Sequence, residues 1–278
     1  MKKKKIIAIA GNPNCGKTVI FNALTGNRQR IGNWSGVTVE KKSGYFTLGD
    51  QPYQIVDLPG TYSLSVISDN SGIDECIACH YLISNRPDIV INVVNASNLE
   101  RQLYLTTQLL EMHIPVIIAL NMMDIAKRRG INIDIKQLSQ SLGCPIVPLT
   151  AIRGKGFTEL HQALLQAPYA SPIPHYAFEP SLQTTWESLT QQIDSNKGLP
   201  ANWLALRLLE DDRLVKNYTT AEEQIHAKSL RDELSQQLDE ELDLLIADAR
   251  YRWIQSVLKQ SVSAQTNHKT LTSTFDRI

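Results

Sequence analysis

The sequence predicts an α/β fold, a doubly wound and mostly parallel sheet followed by a smaller all-helical domain. Three observations predict it. Short apolar runs alternate with helical patterns over the first ~165 residues. Gly11-Asn12-Pro13-Asn14-Cys15-Gly16-Lys17-Thr18 matches the phosphate-loop pattern G-x-x-x-x-G-K-[ST], between a strand and a helix. Beyond Gln166 the strand patterns stop, and leucines recur at three- and four-residue steps.

In order, Ile6 to Ala10 is a short apolar strand, and a helix pattern begins after Gly16. Tyr53 to Val56 is a second strand candidate. Ile89 to Val94 and Pro115 to Leu120 are continuous apolar runs, as in strands buried on both faces. Ile146 to Leu149 is a shorter, final one. Asn98 to Met112 and Lys136 to Leu142 are helical in pattern. Ala167 to Pro180 holds four of the twelve prolines without a period and reads as a linker. Leu182 to Ile193 is again helical, and Pro200 precedes a helix through Trp203 and Leu209. Ala221 to Gln260 reads as one long charged helix packed on a domain. The resulting division is 1–167, a linker at 168–180, a helical domain at 181–260 and a loose polar tail at 261–278.

Composition narrows the function classes. With 278 residues, 42% hydrophobic, the chain can bury a core and is not a disordered protein. The balance of 28 basic and 28 acidic residues argues against a broad cationic face for nucleic acid. No apolar run approaches the roughly eighteen residues of a membrane span. Lys2 to Lys5 flank a strand that ends too soon for a signal peptide. Four cysteines do not make a disulfide framework, which suits a reducing compartment.

The phosphate loop has a physical reason for each residue type. Its glycines let backbone N–H groups close on phosphate oxygens, and the following helix adds positive potential. Lys17 can reach the outer phosphates, and the Thr18 hydroxyl can ligate Mg²⁺. Asp57-Leu58-Pro59-Gly60 follows a strand, as D-x-x-G does in nucleotide switches. The carboxylate can hold a Mg²⁺ water shell, and the Gly60 N–H can meet a terminal phosphate. Asn121-Met122-Met123-Asp124 closes the strand Pro115 to Leu120. There the Asp124 carboxylate can accept both N–H donors of a guanine edge, which adenine lacks. Thr150-Ala151, continuing to Ile152, is placed for a backbone N–H to the guanine oxygen; a turn or capping role would look the same.

This ordered set resembles a translation-factor-type small G domain, a P-loop GTPase. The resemblance sharpens through Leu24-Thr25-Gly26, then Gln29-Arg30-Ile31-Gly32-Asn33-Trp34-Ser35-Gly36-Val37-Thr38-Val39-Glu40. Asp57 to Leu64, Asn95-Ala96-Ser97-Asn98-Leu99-Glu100-Arg101, Trp203 to Glu210 and Ala249-Arg250-Tyr251 extend it over most of the chain. Together these resemble the cytoplasmic N-terminal region of the bacterial ferrous iron transporter family FeoB. The resemblance implies that Asn33 to Thr38 is switch I, with Gly36 and Val37 beside the nucleotide and Thr38 meeting Mg²⁺. Asn14 matches an asparagine that helps ligate K⁺ in potassium-activated G proteins, with backbone carbonyls near Trp34 completing the shell. Ser35 stands where relatives often have proline or alanine.

The implied activity is Mg²⁺-dependent, K⁺-stimulated hydrolysis of GTP to GDP that regulates or drives ferrous iron uptake. Lys17, Thr38, Gly60 and Asn14 would carry the chemistry, by positioning and charge neutralisation. Thr61 stands where Ras-like proteins carry a water-orienting glutamine, so intrinsic turnover should be slow. The helical half is credited in the family with inhibiting nucleotide dissociation. The implied partner is the protein's own membrane-embedded region, which Asp276-Arg277-Ile278 would immediately precede. Small accessory proteins and a homo-oligomer are further possible partners, at the cytoplasmic face of the bacterial inner membrane. The rival is a stand-alone ribosome- or RNA-associated GTPase, for which the neutral helical half offers no basic surface. A P-loop kinase or ATPase is disfavoured by Asp124. Cys76-Ile77-Ala78-Cys79-His80 spells a haem-attachment pattern, but it suits a helix with small buried cysteines better.

Overall fold

Five strands form the frame of the sheet: β1 (Lys5–Gly11), β4 (Gln51–Asp57), β5 (Ile89–Asn95), β6 (Val116–Asn121) and β8 (Ile146–Pro148). In this computed structural model, which describes residues 3–26, 28–67, 72–166, 172–194 and 198–264, they pair in parallel. Two strands not expected from the sequence, β2 (Gln29–Asn33) and β3 (Glu40–Leu48), add an antiparallel edge. The seven-stranded order is β2-β3-β4-β1-β5-β6-β8. The order reverses about β1, so the carboxyl ends of β1, β4 and β6 open on one crevice, where doubly wound sheets bind ligands.

Alternate residues of β1 feed different layers. Ile7 and Ile9 pack with Ile20, Phe21 and Leu24 of α1 (Lys17–Thr25) and with Leu160 and Leu164 of α6 (Phe157–Gln166). Ala8 and Ala10 face the opposite layer, which holds α2 (Ile73–Asn85), α3 (Leu99–Glu111) and α5 (Ile135–Leu142). That second core runs on without a break into α7 (Pro180–Gln192), α8 (Ala201–Leu209), α9 (Ala221–Leu238) and α10 (Leu242–Ser261).

Buried charge joins the helical half to the sheet. Arg250 on α10 is fully buried and grips Glu111 on α3 with two bonds, Nε to Oε1 at 2.8 Å and Nη2 to Oε2 at 3.0 Å. It also donates to Glu210, whose carboxylate lies 3.4 Å from Arg207 Nη1. Asp212 accepts from the Val66 N–H at 3.3 Å, and the Arg213 N–H donates to the Val66 carbonyl at 3.0 Å. The segment that trails Gly60 is thereby held from the helical side. A planar guanidinium that meets two carboxylates satisfies its donors without water, which is what makes burial of this much charge tolerable.

Two expectations need correction. The long helix over Ala221 to Gln260 is two helices, broken where Asp239 takes a left-handed φ of 53°. An Asp tolerates that conformation, and no Gly or Pro announced the break. The tail expected to be loose begins as a strand instead: β9 (Val262–Ala264) pairs antiparallel with β7 (Ile131–Ile133). Residues 265–278, including Asp276 to Ile278, lie outside the described residues, as do residues 167–171 of the expected linker. No helix among the described residues is long and apolar enough to cross a membrane.

Candidate nucleotide-binding site

The phosphate loop leaves β1 at Gly11 and enters α1 at Lys17. Asn14 has a left-handed φ of 62° and Gly16 one of 99°, which turns the chain tightly before the helix. Gly16 also has no room for a side chain, because a Cβ there would stand 2.3 Å from Asn121 Nδ2. Lys17 folds back, its Nζ donating to the Gly11 carbonyl at 3.1 Å. Asn14 and Thr18 are exposed, Pro13 is half-buried and Cys15 is buried beneath the loop. Burial raises the Cys15 thiol, partly opposed by Lys17.

Gly60 closes against this loop. A Cβ there would lie 2.9 Å from Lys17 Nζ and 3.3 Å from both Pro13 Cα and Pro13 N. The Thr61 N–H donates to the Gly11 carbonyl at 3.3 Å, and the Leu58 N–H to the Ile9 carbonyl at 3.0 Å. Asp57 ends β4 with its Oδ1 buried and without a hydrogen-bond partner. Burial pushes its carboxyl up to about 6, against the pull of Lys17 and Lys42. The Asn12 amide is buried as well, with neither Oδ1 nor Nδ2 bonded. These orphaned polar atoms fit a site for Mg²⁺ and phosphate, since buried polar groups otherwise find partners.

Asn121 ties the loop to the base side. Its Nδ2 donates to the Cys15 carbonyl and its Oδ1 accepts from the Ala151 N–H, both at 3.0 Å. Of the Thr150-Ala151 backbone expected to offer an N–H to a guanine oxygen, the Ala151 N–H serves Asn121 in this structure. Asp124 sits on the short helix α4 (Met123–Arg128), which Met122 enters at a left-handed φ of 61°. Its Oδ2 has Arg153 Nη2 at 3.8 Å and Arg128 Nη2 at 3.9 Å. A cavity of about 490 Å³ opens between Gly16, Asn121, Asp124, Thr150, Ala151 and Ile152. Ile152 is 83% exposed at its rim, an apolar face free to cover a flat ring.

Thr38 lies exposed in the turn between β2 and β3, with Gly36 at a left-handed φ of 77° and Val37 half-buried. The Trp34 carbonyl accepts from the Val37 N–H at 3.2 Å, and the Trp34 N–H donates to the Val39 carbonyl at 2.9 Å. The indole is buried edge-on to Tyr81 of α2, ring centroids 5.4 Å apart, with Lys41 Nζ 4.6 Å from its own centroid. The segment that carries Trp34 is thus docked on α2.

Thr61 is buried and turned inward, its single hydroxyl proton shared between the Ser63 carbonyl at 2.6 Å and Glu75 Oε1 at 2.8 Å. Sequence reasoning missed Gln108. It is fully buried on α3, where its Oε1 accepts from the Leu64 N–H at 2.6 Å and its Nε2 donates to Ser65 Oγ at 2.8 Å. A glutamine directly before Leu109 and Leu110, in the helical pattern Asn98 to Met112, was the available signal. The haem-like cysteines lie on α2, where burial pushes Cys79 up to about 12, while His80 is exposed beside Ser84.

The sequence profile of the family described as ferrous iron transport protein B matches residues 5–164. This chain belongs to the FeoB family. The profile of the FeoB cytosolic helical domain matches residues 178–263. The Fe(2+) transporter FeoB of Escherichia coli K12 is 48% identical over 258 residues, 92% of this chain and 33% of that protein. The Salmonella typhimurium FeoB is 47% identical over 262 residues. The chain thus spans about a third of the length of the curated FeoB relatives it matches. Among solved structures, the cytosolic domain of L. pneumophila FeoB superposes with a TM-score of 0.79 at 38% identity, covering 93% of this chain and 99% of that one. A GDP-bound mutant of the S. thermophilus FeoB G-domain gives 0.80 at 35% identity, covering 93% and 100%. The T. maritima FeoB cytosolic domain in its GMPPNP form gives 0.78 at 32%, covering 93% and 99%. The sheet and the helices that follow it are the FeoB G-domain and helical-domain architecture.

Proposed function

We propose that this chain binds guanine nucleotide and slowly hydrolyses GTP, with Mg²⁺ and with stimulation by K⁺, to regulate or drive ferrous iron uptake by the membrane region of a whole FeoB protein. The carrying observation is the pair of bonds from Asn121 to Cys15 and Ala151, which sets the phosphate loop and the base cavity in one rigid frame. The GDP and GMPPNP forms of related FeoB domains support the same reading.

Within that frame the Asp124 carboxylate accepts the two N–H donors of guanine, between Arg128 and Arg153, and Ile152 covers the ring. Loop amides from Asn14 to Thr18 surround the phosphates, and Lys17 exchanges its Gly11 contact for phosphate oxygens. Asp57, Thr18 and, once switch I moves in, Thr38 would hold the Mg²⁺ and its water shell; Asn14 and the Trp34 carbonyl would hold K⁺. When bound, the two cations supply positive charge to the phosphate oxygens as the terminal bond breaks. The Gly60 N–H orients the terminal phosphate. Thr61 gives no help to the attacking water while its hydroxyl is engaged by Glu75, and turnover is slow for that reason. The whole protein would work at the cytoplasmic face of the bacterial inner membrane, with accessory proteins or self-association as further layers.

The test is phosphate release from GTP and from ATP, each in K⁺ and in Na⁺, for the parent and for Asn14→Ala. GTP should be preferred, K⁺ should be faster than Na⁺, and Asn14→Ala should lose the difference between the cations. Equal use of ATP, or cation-independent rates in the parent, would refute the respective part.

A further inference from the structure

The helix that carries Asp124 is held to the core along one narrow stripe, through the fully buried Ala126. It has six residues, too few to hold its own shape in water. The base cavity of about 490 Å³ lies on one side of it. A second cavity of about 560 Å³ lies on the other, lined by Lys127, Ile131, Asn132, Arg153 and Lys155 among others. Beyond Ala126, its position is fixed at its ends. The amino end is anchored by β6 and Asn121. The carboxyl end turns at Gly130, with a φ of 70°, straight into β7.

β7 is three residues long and stands outside the main sheet; among the described residues its only strand partner is β9. The register sets Ile131 opposite Ala264, Asn132 opposite Ser263 and Ile133 opposite Val262. The Asp134 N–H donates to the Ser261 carbonyl at 2.8 Å, which marks that opposed pair as hydrogen-bonded. In an antiparallel ladder such pairs alternate, so Asn132 and Ser263 form the next one. Ile131, Ile133 and Val262 pack on the main core, as does Met123 beside Asp124. Asp134 also caps α5, accepting from the Gln137 N–H at 2.9 Å, and α5 packs against α10.

We propose that β9, the strand that leaves the helical domain, is a positioning element for Asp124, so that its pairing with β7 and occupancy of the base cavity reinforce each other. This rests on the guanine-site reading above. Peeling β9 away frees β7, then the carboxyl end of α4, and the carboxylate loses its fixed aim. By linkage, a base held by Asp124 strengthens the β7–β9 pairing by the same factor. Residues 265–278 follow directly on β9, so any load on them reaches the base site by this route.

The experiment uses the full chain and two variants. Ser263→Pro removes the donor from the hydrogen-bonded pair. Asn132→Cys with Ser263→Cys places two exposed thiols at opposed positions, about 5.5 Å apart at Cα and within disulfide range. Stopped flow reads release of a fluorescent GDP analogue, and hydrogen exchange without nucleotide reads the amides of Ile125 to Arg128. Release should be at least about fivefold faster in Ser263→Pro, with α4 amides less protected. The oxidised cysteine pair should release more slowly than the same protein reduced. Unchanged release in both variants, from a parent that binds the analogue, would overturn the inference. A parent that binds no analogue would overturn the guanine reading instead, and α4 protection would then decide the coupling alone.

Discussion

Asn121 donates from its amide to the carbonyl of Cys15 at 3.0 Å, joining the end of β6 to the floor of the phosphate loop. The same side chain accepts the Ala151 N–H, so one buried residue sets the spacing between phosphate and base ends of the cavity. Its motif position suggests a base contact; its bonds make it the frame in which Asp124 and Lys17 hold register.

Asn121→Ala should therefore cost both stability and affinity. It leaves the Cys15 carbonyl and the Ala151 N–H unpaired, at about 1–3 kcal/mol each where water cannot reach. Denaturant unfolding should show the loss without nucleotide, and GDP titration should show weaker binding. An unchanged unfolding midpoint would count against the framing role.

Gly60→Ala should separate triphosphate from diphosphate. The added methyl would crowd Lys17 Nζ and the Pro13 backbone, on the face where a terminal phosphate would meet the Gly60 N–H. Lys17 can swing aside, whereas Pro13 must shift by a few tenths of an ångström. A non-hydrolysable GTP analogue should bind more weakly while GDP is nearly unaffected, as calorimetry on both ligands would show.

Arg250→Ala should be severely destabilising, by about 3–5 kcal/mol, because it leaves Glu111 a buried charge with only the Tyr176 hydroxyl, and Glu210 with only Arg207. Thermal unfolding would check this. A surface-like loss below about 0.5 kcal/mol would mean that the carboxylates escape to water or take up protons.

How much of this was legible in the sequence follows burial. β1, β5 and β6 are covered on both faces, and their apolar runs stand out. β2 is the sheet's edge, mostly exposed, and β3 beside it carries half-buried Lys41 and Lys42, so no apolar run appears in either. β7 and β9 are too short for any period. Arg207, Arg250, Glu111 and Glu210 read as ordinary helix charges, because pairing between distant helices leaves no local signature. The loop Gly11 to Thr18, Asp57, Gly60, Asn121 and Asp124 stand out in the sequence because phosphate and base chemistry would tie residue type to position. The inward turn of Thr61 towards Glu75 and the clamp from Gln108 were not, since both depend on which way a side chain points.

Thr61→Ala should change GTP turnover by less than about threefold, since the hydroxyl serves the fold around Glu75 and Ser63. Single-turnover hydrolysis would check it. A loss of two orders of magnitude would make Thr61 a participant in the chemistry.

The central claim is that Asp124 reads guanine in a cavity locked to the phosphate loop. Competition binding of GDP, ADP and XDP to the parent and to Asp124→Asn tests it most directly. The parent should prefer GDP over both others by at least about a hundredfold, because the wrong edge leaves a desolvated carboxylate unpaired. Asp124→Asn should shift the preference to XDP, whose second ring oxygen accepts from the new amide. A parent indifferent between GDP and ADP, or a variant that keeps the parent's order, would contradict the account.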